Sequence, residues 1–437
     1  MFRHLRWTII ALLCLGGGIS YLDRAALSVA APLLARDLHL GPGRLGLVFS
    51  SFFLGYAVFC FVGGWASDRI GAKAVFTIAM AVWSVFCGLT AAVWGFGSLL
   101  VVRVAFGMGE GPFSSTANKL VSNWFPRREQ ASAVGLANAG QPLGAALAGP
   151  LVGAIAVRFG WRASFVAIAL VGFVWTLAWA RLATDRPEQH PRLREAERAT
   201  IRDQPPARVA AESVPDGRDS FAAILRRPEI LATAFAFFGY AYILYFFLSW
   251  FPSYLTLAHH MSIGRMGVVS VIPWLLGFVG LASGGFVTDA IYRRTGRALF
   301  SRKLVLVVSL GIAAGCVAGA GLASGVAAAV ALMAVSVFFM YLTANAYWAI
   351  ILDTVEPGRV GAVSGFVHMI ANCAGLVAPA VTGYIVQWSG SFAGAFVLTG
   401  AVALAGATAV ALLVRPGARQ DAVAQRAPTS FGLSRHG

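Results

Sequence analysis

Long unbroken apolar runs alternate along this chain with short polar breaks. The runs fall near 7–34, 44–66, 74–94, 98–121, 130–157 and 161–182. After a longer polar stretch they resume near 229–256, 266–289, 304–324, 326–352, 360–387 and 393–414. Crossing ~30 Å of hydrocarbon takes about 20 helical residues, so each run is long enough to span a bilayer. Lipid offers no partner to backbone polar groups, which leaves only helices and closed barrels. The runs are continuous and do not alternate over short strands, which excludes the barrel. The pattern predicts an all-α integral membrane protein with about twelve spans.

The polar breaks set its organisation. Residues 183–227 are rich in Arg, Asp, Glu and Pro, and read as a cytoplasmic linker between two six-helix bundles, 1–182 and 228–414. A short helix is expected in the linker around Pro191–Arg202, and 415–437 reads as a disordered cytoplasmic tail. Basic residues mark alternate breaks: Arg3 and Arg6, Arg69 and Lys73, Arg127 and Arg128, Arg293, Arg294, Arg297, Arg302 and Lys303, then Arg415 and Arg419. The turns near Trp94–Ser98, Gly325 and Gly390 have none. By the positive-inside rule both termini are expected in the cytoplasm. Arg3–Arg6 followed by Trp7–Leu15 imitates a signal peptide, but the apolar stretch continues through Ser20 and resumes at Ala25, so it reads as the first span.

Composition agrees with the pattern. The chain is 437 residues, 58% hydrophobic and 12% charged, against about 25% charged in soluble domains. Its net charge of +16 raises the question of nucleic acid. The basic residues form no single face or stripe, so no nucleic-acid partner is expected. The five cysteines, Cys14, Cys60, Cys87, Cys316 and Cys373, all lie in apolar runs without a CxxC pair and read as core residues, with no metal and no cofactor implied. There is no P-loop or HExxH, which disfavours an ATP-driven pump or a membrane enzyme. Neither end carries a lipidation motif.

The two halves resemble each other. Gly64-Trp-Ala-Ser-Asp68-Arg69-Ile-Gly71-Ala-Lys73 follows the second span, and Gly285-Phe-Val-Thr-Asp289 with Arg293-Arg294 follows the eighth. Trp124-Phe-Pro126-Arg127-Arg128 leads to Gly135 as Glu356-Pro357-Gly358-Arg359 leads to Gly365. Such a repeat implies paired bundles with a site between them, the arrangement that supports alternating access. The Gly64–Lys73 segment resembles the loop signature of the major facilitator superfamily, with Ala72 in place of a commonly basic residue. That resemblance implies a gating role for Asp68, Arg69 and Asp289, with Asp68 paired to Arg from a neighbouring helix.

A narrower resemblance is to the anion:cation symporter branch, which holds galactonate, glucarate and hexuronate transporters and vesicular glutamate and sialic-acid carriers. It rests on Tyr21-Leu-Asp23-Arg24-Ala-Ala-Leu-Ser28, on Arg103-Val-Ala-Phe-Gly107-Met-Gly109-Glu110-Gly111, on Trp124-Phe-Pro126, and on Gly140-Gln141-Pro142-Leu-Gly144. In the second half it rests on Trp348 with Asp353, and on His368 with Asn372 and Gly375. The resemblance implies substrate contacts from Tyr21, Arg24, Tyr56, Gln141 and Trp348, and proton carriage by Asp23 and Glu110. The chain departs from it at His368, where such transporters often carry Asn, and at Asn345 and Tyr347.

Charge inside a membrane helix costs about 2.5–3.5 kcal/mol per residue on insertion scales, and such residues usually line a pathway and pair with one another. Asp23, Arg24, Arg103 and Glu110 all fall mid-span. Arg103 and Glu110 are seven residues apart, ~10.5 Å along an ideal helix, too far for direct contact. They are either ion-pair struts or parts of a transport path. Arg suits a bidentate grip on a carboxylate, and a buried carboxylate sheds its charge by taking a proton. Arg103, Asn345, Asn372 and Tyr242 join the candidate substrate contacts, and Tyr242 and Tyr245 are both expected to reach the cavity from the second half. Gln141 and Tyr56 stand between substrate contact and plain packing, and His368 between an ordinary buried histidine and a tuner of substrate or pH dependence. Lys119 is expected to snorkel to the surface. The aromatic-rich seventh helix is expected to break at Pro252. The expected function is proton-coupled symport, as uptake across the cell's inner membrane, of a small organic anion such as a sugar acid, by a monomer. An exporter or exchanger of another carboxylate, such as an aromatic acid, is the alternative.

Overall fold

The computed structural model describes residues 5–191, 193, 221–355 and 360–415. Most of the 183–227 segment, with the short helix expected at Pro191–Arg202, lies outside the described residues, as do Arg3, Glu356–Arg359 and the tail beyond Arg415. Among the described residues there is no strand, and eleven helices are long and apolar enough to cross a membrane.

The first three spans are Leu5–Asp37, Pro42–Ile70 and Ala72–Leu89. The fourth is split into Phe96–Glu110 and Phe113–Trp124, of 15 and 12 residues, each too short to count alone, which is why eleven helices qualify where about twelve apolar runs are read. Pro112 causes the split: it has no N–H to offer the Met108 carbonyl and its ring crowds that turn. Close packing fixes the kink, since a methyl on Gly111 would lie 2.8 Å from the Tyr56 carbonyl oxygen. The fifth and sixth spans are Arg127–Phe159 and Trp161–Leu182.

In the second half the seventh span, Pro228–Leu257, runs straight through Pro252, contrary to the break expected there. Burial explains it: Phe237, Tyr240, Tyr242, Tyr245, Phe246, Phe247 and Trp250 are all buried, and neighbours on every side hold the helix across the missing bond. The eighth span is Ile263–Val269 continued by Val271–Thr295, interrupted ahead of Pro273. Next come Ala298–Leu322, then Val326–Leu342 and Ala346–Thr354 as the tenth, whose two pieces meet in a tight turn. Within that turn Thr343 N–H donates to Met340 O and Ala346 N–H to Thr343 O. Val360–Ser389 and Ala393–Leu413 complete the set.

Packing follows two patterns. Inside the first half, the first span packs on the fifth, the second on the fourth and the third on the sixth; inside the second half, the seventh packs on the eleventh and twelfth, and the eighth on the tenth. Across the middle, the second span meets the eleventh, the fifth meets the eighth, and the first meets the seventh. The closest of these crossings lie toward one end, opposite the Asp68 loop. A methyl on Gly46 would sit 2.5 Å from the Pro379 carbonyl oxygen, and Gly149 and Gly267 meet backbone to backbone. Gly43 N–H donates to Gln387 Oε1 at 3.0 Å and Ala380 N–H to Ser50 Oγ at 3.1 Å, tying the halves there. At the other end the start of the 183–227 segment folds back: Asp185 accepts from Lys73 N–H at 2.6 Å, Asn123 Nδ2 donates to Asp185 O and Trp124 Nε1 to Thr184 O.

Candidate functional site

A cavity of about 540 Å³ lies between the halves. Its walls run from Arg24 and Tyr245 toward Asn118, Asn138 and Asn345, so it reaches toward the Asp68 end and stops short of the glycine crossings. Of the expected substrate contacts, Tyr21, Arg24, Tyr56, Gln141, Asn345, Trp348, His368 and Asn372 line it. Arg103 and Tyr242 do not. Successive residues of a helix turn by about 100°, so Phe237, Tyr240, Ala241, Leu244 and Tyr245 share the cavity face while Tyr242 turns away. Tyr242 packs instead beside Phe238, ring centroids 5.9 Å apart. Tyr245 occupies the place expected of it.

The charged pairs are not those that sequence adjacency suggests. Arg24 Nε and Nη2 each lie 2.6 Å from one oxygen, Glu110 Oε1, and Ser20 Oγ donates to the same atom at 2.5 Å. Glu110 is fully buried and its Oε2 has no hydrogen-bond partner. The Arg24 guanidinium carbon also lies 4.6 Å from the Tyr56 ring centroid, 4.8 Å from Phe52 and 5.3 Å from Tyr21. Three ring faces and one carboxylate oxygen therefore hold the only arginine or lysine on the cavity wall among the described residues.

Asp23 faces the other way, into the first half, where Cys87 Sγ donates to Oδ1 at 3.6 Å. Arg103 is 5% exposed, forms no ion pair among the described residues, and leaves Nε without an acceptor. Its guanidinium lies 4.9 Å from the Phe106 ring and 5.1 Å from Phe52, the ring that Arg24 also touches. Arg103, Gly107, Glu110 and Ser114 lie at helical spacing in the sequence, as if on one face, but the kink at Pro112 separates Glu110 from Ser114: Ser114 lines the cavity and the first three do not.

The second-half wall is aromatic. Phe237 stacks on Tyr347 at 4.5 Å and on His368 at 6.0 Å, and meets Trp348 edge-on at 5.4 Å. Tyr245 O–H donates to Asn372 Oδ1 at 3.0 Å, and Asn372 Nδ2 donates to the His368 carbonyl at 2.9 Å. The His368 ring makes no hydrogen bond among the described residues. On the first-half side Gln141 Nε2 donates to Asn138 Oδ1 at 3.3 Å.

The expected gate residues sit at the Asp68 end. Asp68 pairs with Lys119, 2.7 Å away, and not with an arginine of a neighbouring helix. Lys119 reaches it from the kinked end of the fourth span, which brings that side chain back toward the second. Arg69 stacks on Trp65 at 4.3 Å, and Asp289 is exposed without an ion pair among the described residues. In the second half the pair at this end is Arg302 with Asp353, and Arg302 also donates to Ala349 O. Among the described residues no three His, Cys, Asp or Glu side chains cluster as metal ligands.

Sequence reading missed Ser20, Asn138, Cys87 and Asp185. Ser20 and Asn138 carried a usable signal, lying one helical turn from Arg24 and Gln141 on the same face. Cys87 and Asp185 carried none, because their partners come from distant segments.

Comparison with known proteins gives a consistent picture. The model of the Major Facilitator Superfamily matches residues 13–369. The hexuronate transporter of Bacillus subtilis (strain 168) is 49% identical over 95% of this chain and 96% of its own length. A probable sulfoacetate transporter of Cupriavidus necator is 33% identical over 95% of this chain and 94% of its own. Among solved structures, a bacterial homolog of the human lysosomal transporter Spinster, in an inward-facing and occupied conformation, superposes with a TM-score of 0.72 at 17% identity, over 95% of this chain and 98% of that one.

Proposed function

Because the chain belongs to the Major Facilitator Superfamily, a family of membrane transporters and not of enzymes, we propose that it imports a sugar acid together with protons across a bacterial cytoplasmic membrane. The positive-inside pattern supports cytoplasmic termini, and with them a cavity that opens inward. Residues 1–182 and 228–414 are the two moving halves, and one copy suffices. The hexuronate transporter at 49% identity supports a cargo of that class.

The observation that carries the reading is the single Glu110 oxygen against Arg24. A buried Arg left without its carboxylate is costly, so Arg24 needs an anion at every stage. When Glu110 takes a proton it releases Arg24, which then grips the cargo carboxylate through its two parallel donors. When the cargo leaves, Glu110 gives up its proton and closes on Arg24 again, the arrangement seen here. Cargo and Glu110 thus compete for one cation, and competition couples proton to anion. Asp23 is the second proton site, and Arg103, away from the cavity, biases both carboxylates by its charge. Among the described residues Arg24 is the only fixed cation on the wall, which favours a monoacid over a diacid, whose second carboxylate would lie uncompensated.

The test is transport of D-glucuronate by the purified protein in proteoliposomes. Glu110→Gln is expected to abolish accumulation driven by a pH gradient while exchange of internal for external glucuronate continues. Undiminished gradient-driven accumulation by Glu110→Gln and by Asp23→Asn would remove the coupling assignment.

A further inference from the structure

Arg24 explains how an acid is held but not how one sugar acid is told from another. Among the described residues the opposite wall of the cavity carries no Asp, Glu, Lys or Arg; beside its tyrosines and asparagines it offers Phe237, Trp348 and His368. These rings form a braced shelf. Phe237 is backed by Tyr347 at 14° and 4.5 Å, and the Tyr347 hydroxyl lies 3.2 Å from Thr343 Oγ1. His368 lies nearly parallel to Phe237, at 17°, while Trp348 stands across both, at 86° to Phe237 and 71° to His368. The turn that carries His368 is pinned through Asn372 to Tyr245. The imidazole is on the cavity wall with no hydrogen bond of its own among the described residues, so its nitrogens are free for a ligand.

Flat aromatic surface suits a flat apolar face. A six-carbon aldehyde acid closes on itself into a ring whose axial C–H bonds present such a face, while its hydroxyls point outward. An open-chain acid of the same length has no such face and would set hydroxyls against the rings, where they find no partner. We infer that the cargo is bound as a closed sugar ring, its carboxylate on Arg24, its C–H face on Phe237, its rim against the upright Trp348 ring, and its far hydroxyls hydrogen-bonded to the His368 imidazole. His368 is then the residue that selects among sugar acids. This rests on the sugar-acid reading above and adds the ring form and the orientation.

A matched pair of probes tests it. L-gulonate is D-glucuronate with the aldehyde reduced: the same carbon skeleton, carboxylate and hydroxyl configuration, but no hemiacetal ring. Both are used to compete with labelled D-glucuronate exchange in proteoliposomes of the full chain. Glucuronate is expected to compete about tenfold or more better than gulonate. His368→Asn and Phe237→Leu are each expected to bring the ratio toward unity by weakening glucuronate and leaving gulonate within about twofold. His368→Asn keeps a small polar side chain, so the test survives if Phe237→Leu fails to fold. The inference is overturned if gulonate matches glucuronate in the parent protein, or if the ratio persists in both variants. If the full chain shows no exchange of labelled D-glucuronate but does exchange a labelled aromatic acid such as benzoate, the sugar-acid reading itself falls, and this inference with it.

Discussion

The two walls of the cavity are built from opposite materials. The first-half wall has one arginine fixed by three ring faces and by a carboxylate oxygen that also accepts from a serine. The second-half wall has Phe237, Trp348 and His368, joined by ring contacts and one chain of hydrogen bonds through Tyr245 and Asn372. The difference separates two tasks. Charge, long-ranged and costly to leave unpaired in the membrane, sits where the proposed coupling needs cargo binding to be felt by a carboxylate. The Phe237 and Trp348 rings, short-ranged in their contacts and without a titratable group, sit where shape is read. A transporter divided in this way can change its cargo by changing one wall and keep its coupling by keeping the other.

The division is broken most severely at Arg24. Arg24→Ala removes the anion grip and strands Glu110, and is expected to weaken glucuronate binding by about 10²–10³-fold, since breaking a buried pair costs about 3–5 kcal/mol. Thermal-shift titration measures it, and the Arg24→Ala, Glu110→Gln double variant separates lost grip from stranded charge: it should be more stable than Arg24→Ala and bind no better. Recovery of binding in the double variant would mean that Arg24 is a strut.

A second prediction concerns the end where the halves touch. Gly149→Leu places a side chain where Gly267 backbone now lies, so that end can no longer close. The inward-facing cavity should be depopulated, with loss of glucuronate exchange and greater labelling of a cysteine introduced near Gly46 from the outer side. Full exchange by Gly149→Leu would show that the glycine crossing is dispensable.

Much of the fold was legible in the sequence, for a definite reason. Span length is set by bilayer thickness and backbone saturation, so an apolar run of the right length reports a helix whatever it packs against. The kink at Pro112 was not legible as a consequence: Pro142, Pro150 and Pro252 lie in equally apolar runs and their helices continue. What differs is the surroundings, which no local pattern records. At the site, the buried charges could be picked out because charge in an apolar run is conspicuous. Their partners could not. Asp23 and Arg24 are adjacent in sequence yet face apart, and Arg24 meets Glu110 across 86 residues. Tyr242 and Tyr245 looked equivalent until the cavity face was fixed by Phe237 and Tyr240. Asp68 was expected to meet arginine, but the kinked fourth span delivers Lys119.

Two smaller effects sharpen the comparison. Asp68→Asn, which breaks the Lys119 pair, should reduce transport rate more than glucuronate affinity, because Asp68 ties the second span to the fourth away from the cavity wall; Asp289→Asn, exposed and without an ion pair among the described residues, should change the rate by less than about twofold. Initial uptake rates across a glucuronate titration distinguish rate from affinity. Tyr242→Phe, buried but off the cavity face, should leave transport within about twofold of the parent, whereas Tyr245→Phe, which unties Asn372, should lower affinity severalfold. Equal effects of the two tyrosine changes would remove the assignment of the cavity face.

The central claim is that cargo and Glu110 compete for Arg24. Its most direct test is calorimetric titration of D-glucuronate into the purified protein in buffers of different ionisation enthalpy, which counts protons taken up on binding. The competition predicts proton uptake by the parent, and a fall of about one proton per glucuronate in Glu110→Gln with binding retained. Unchanged proton uptake in that variant, or binding to the parent with none, would contradict it.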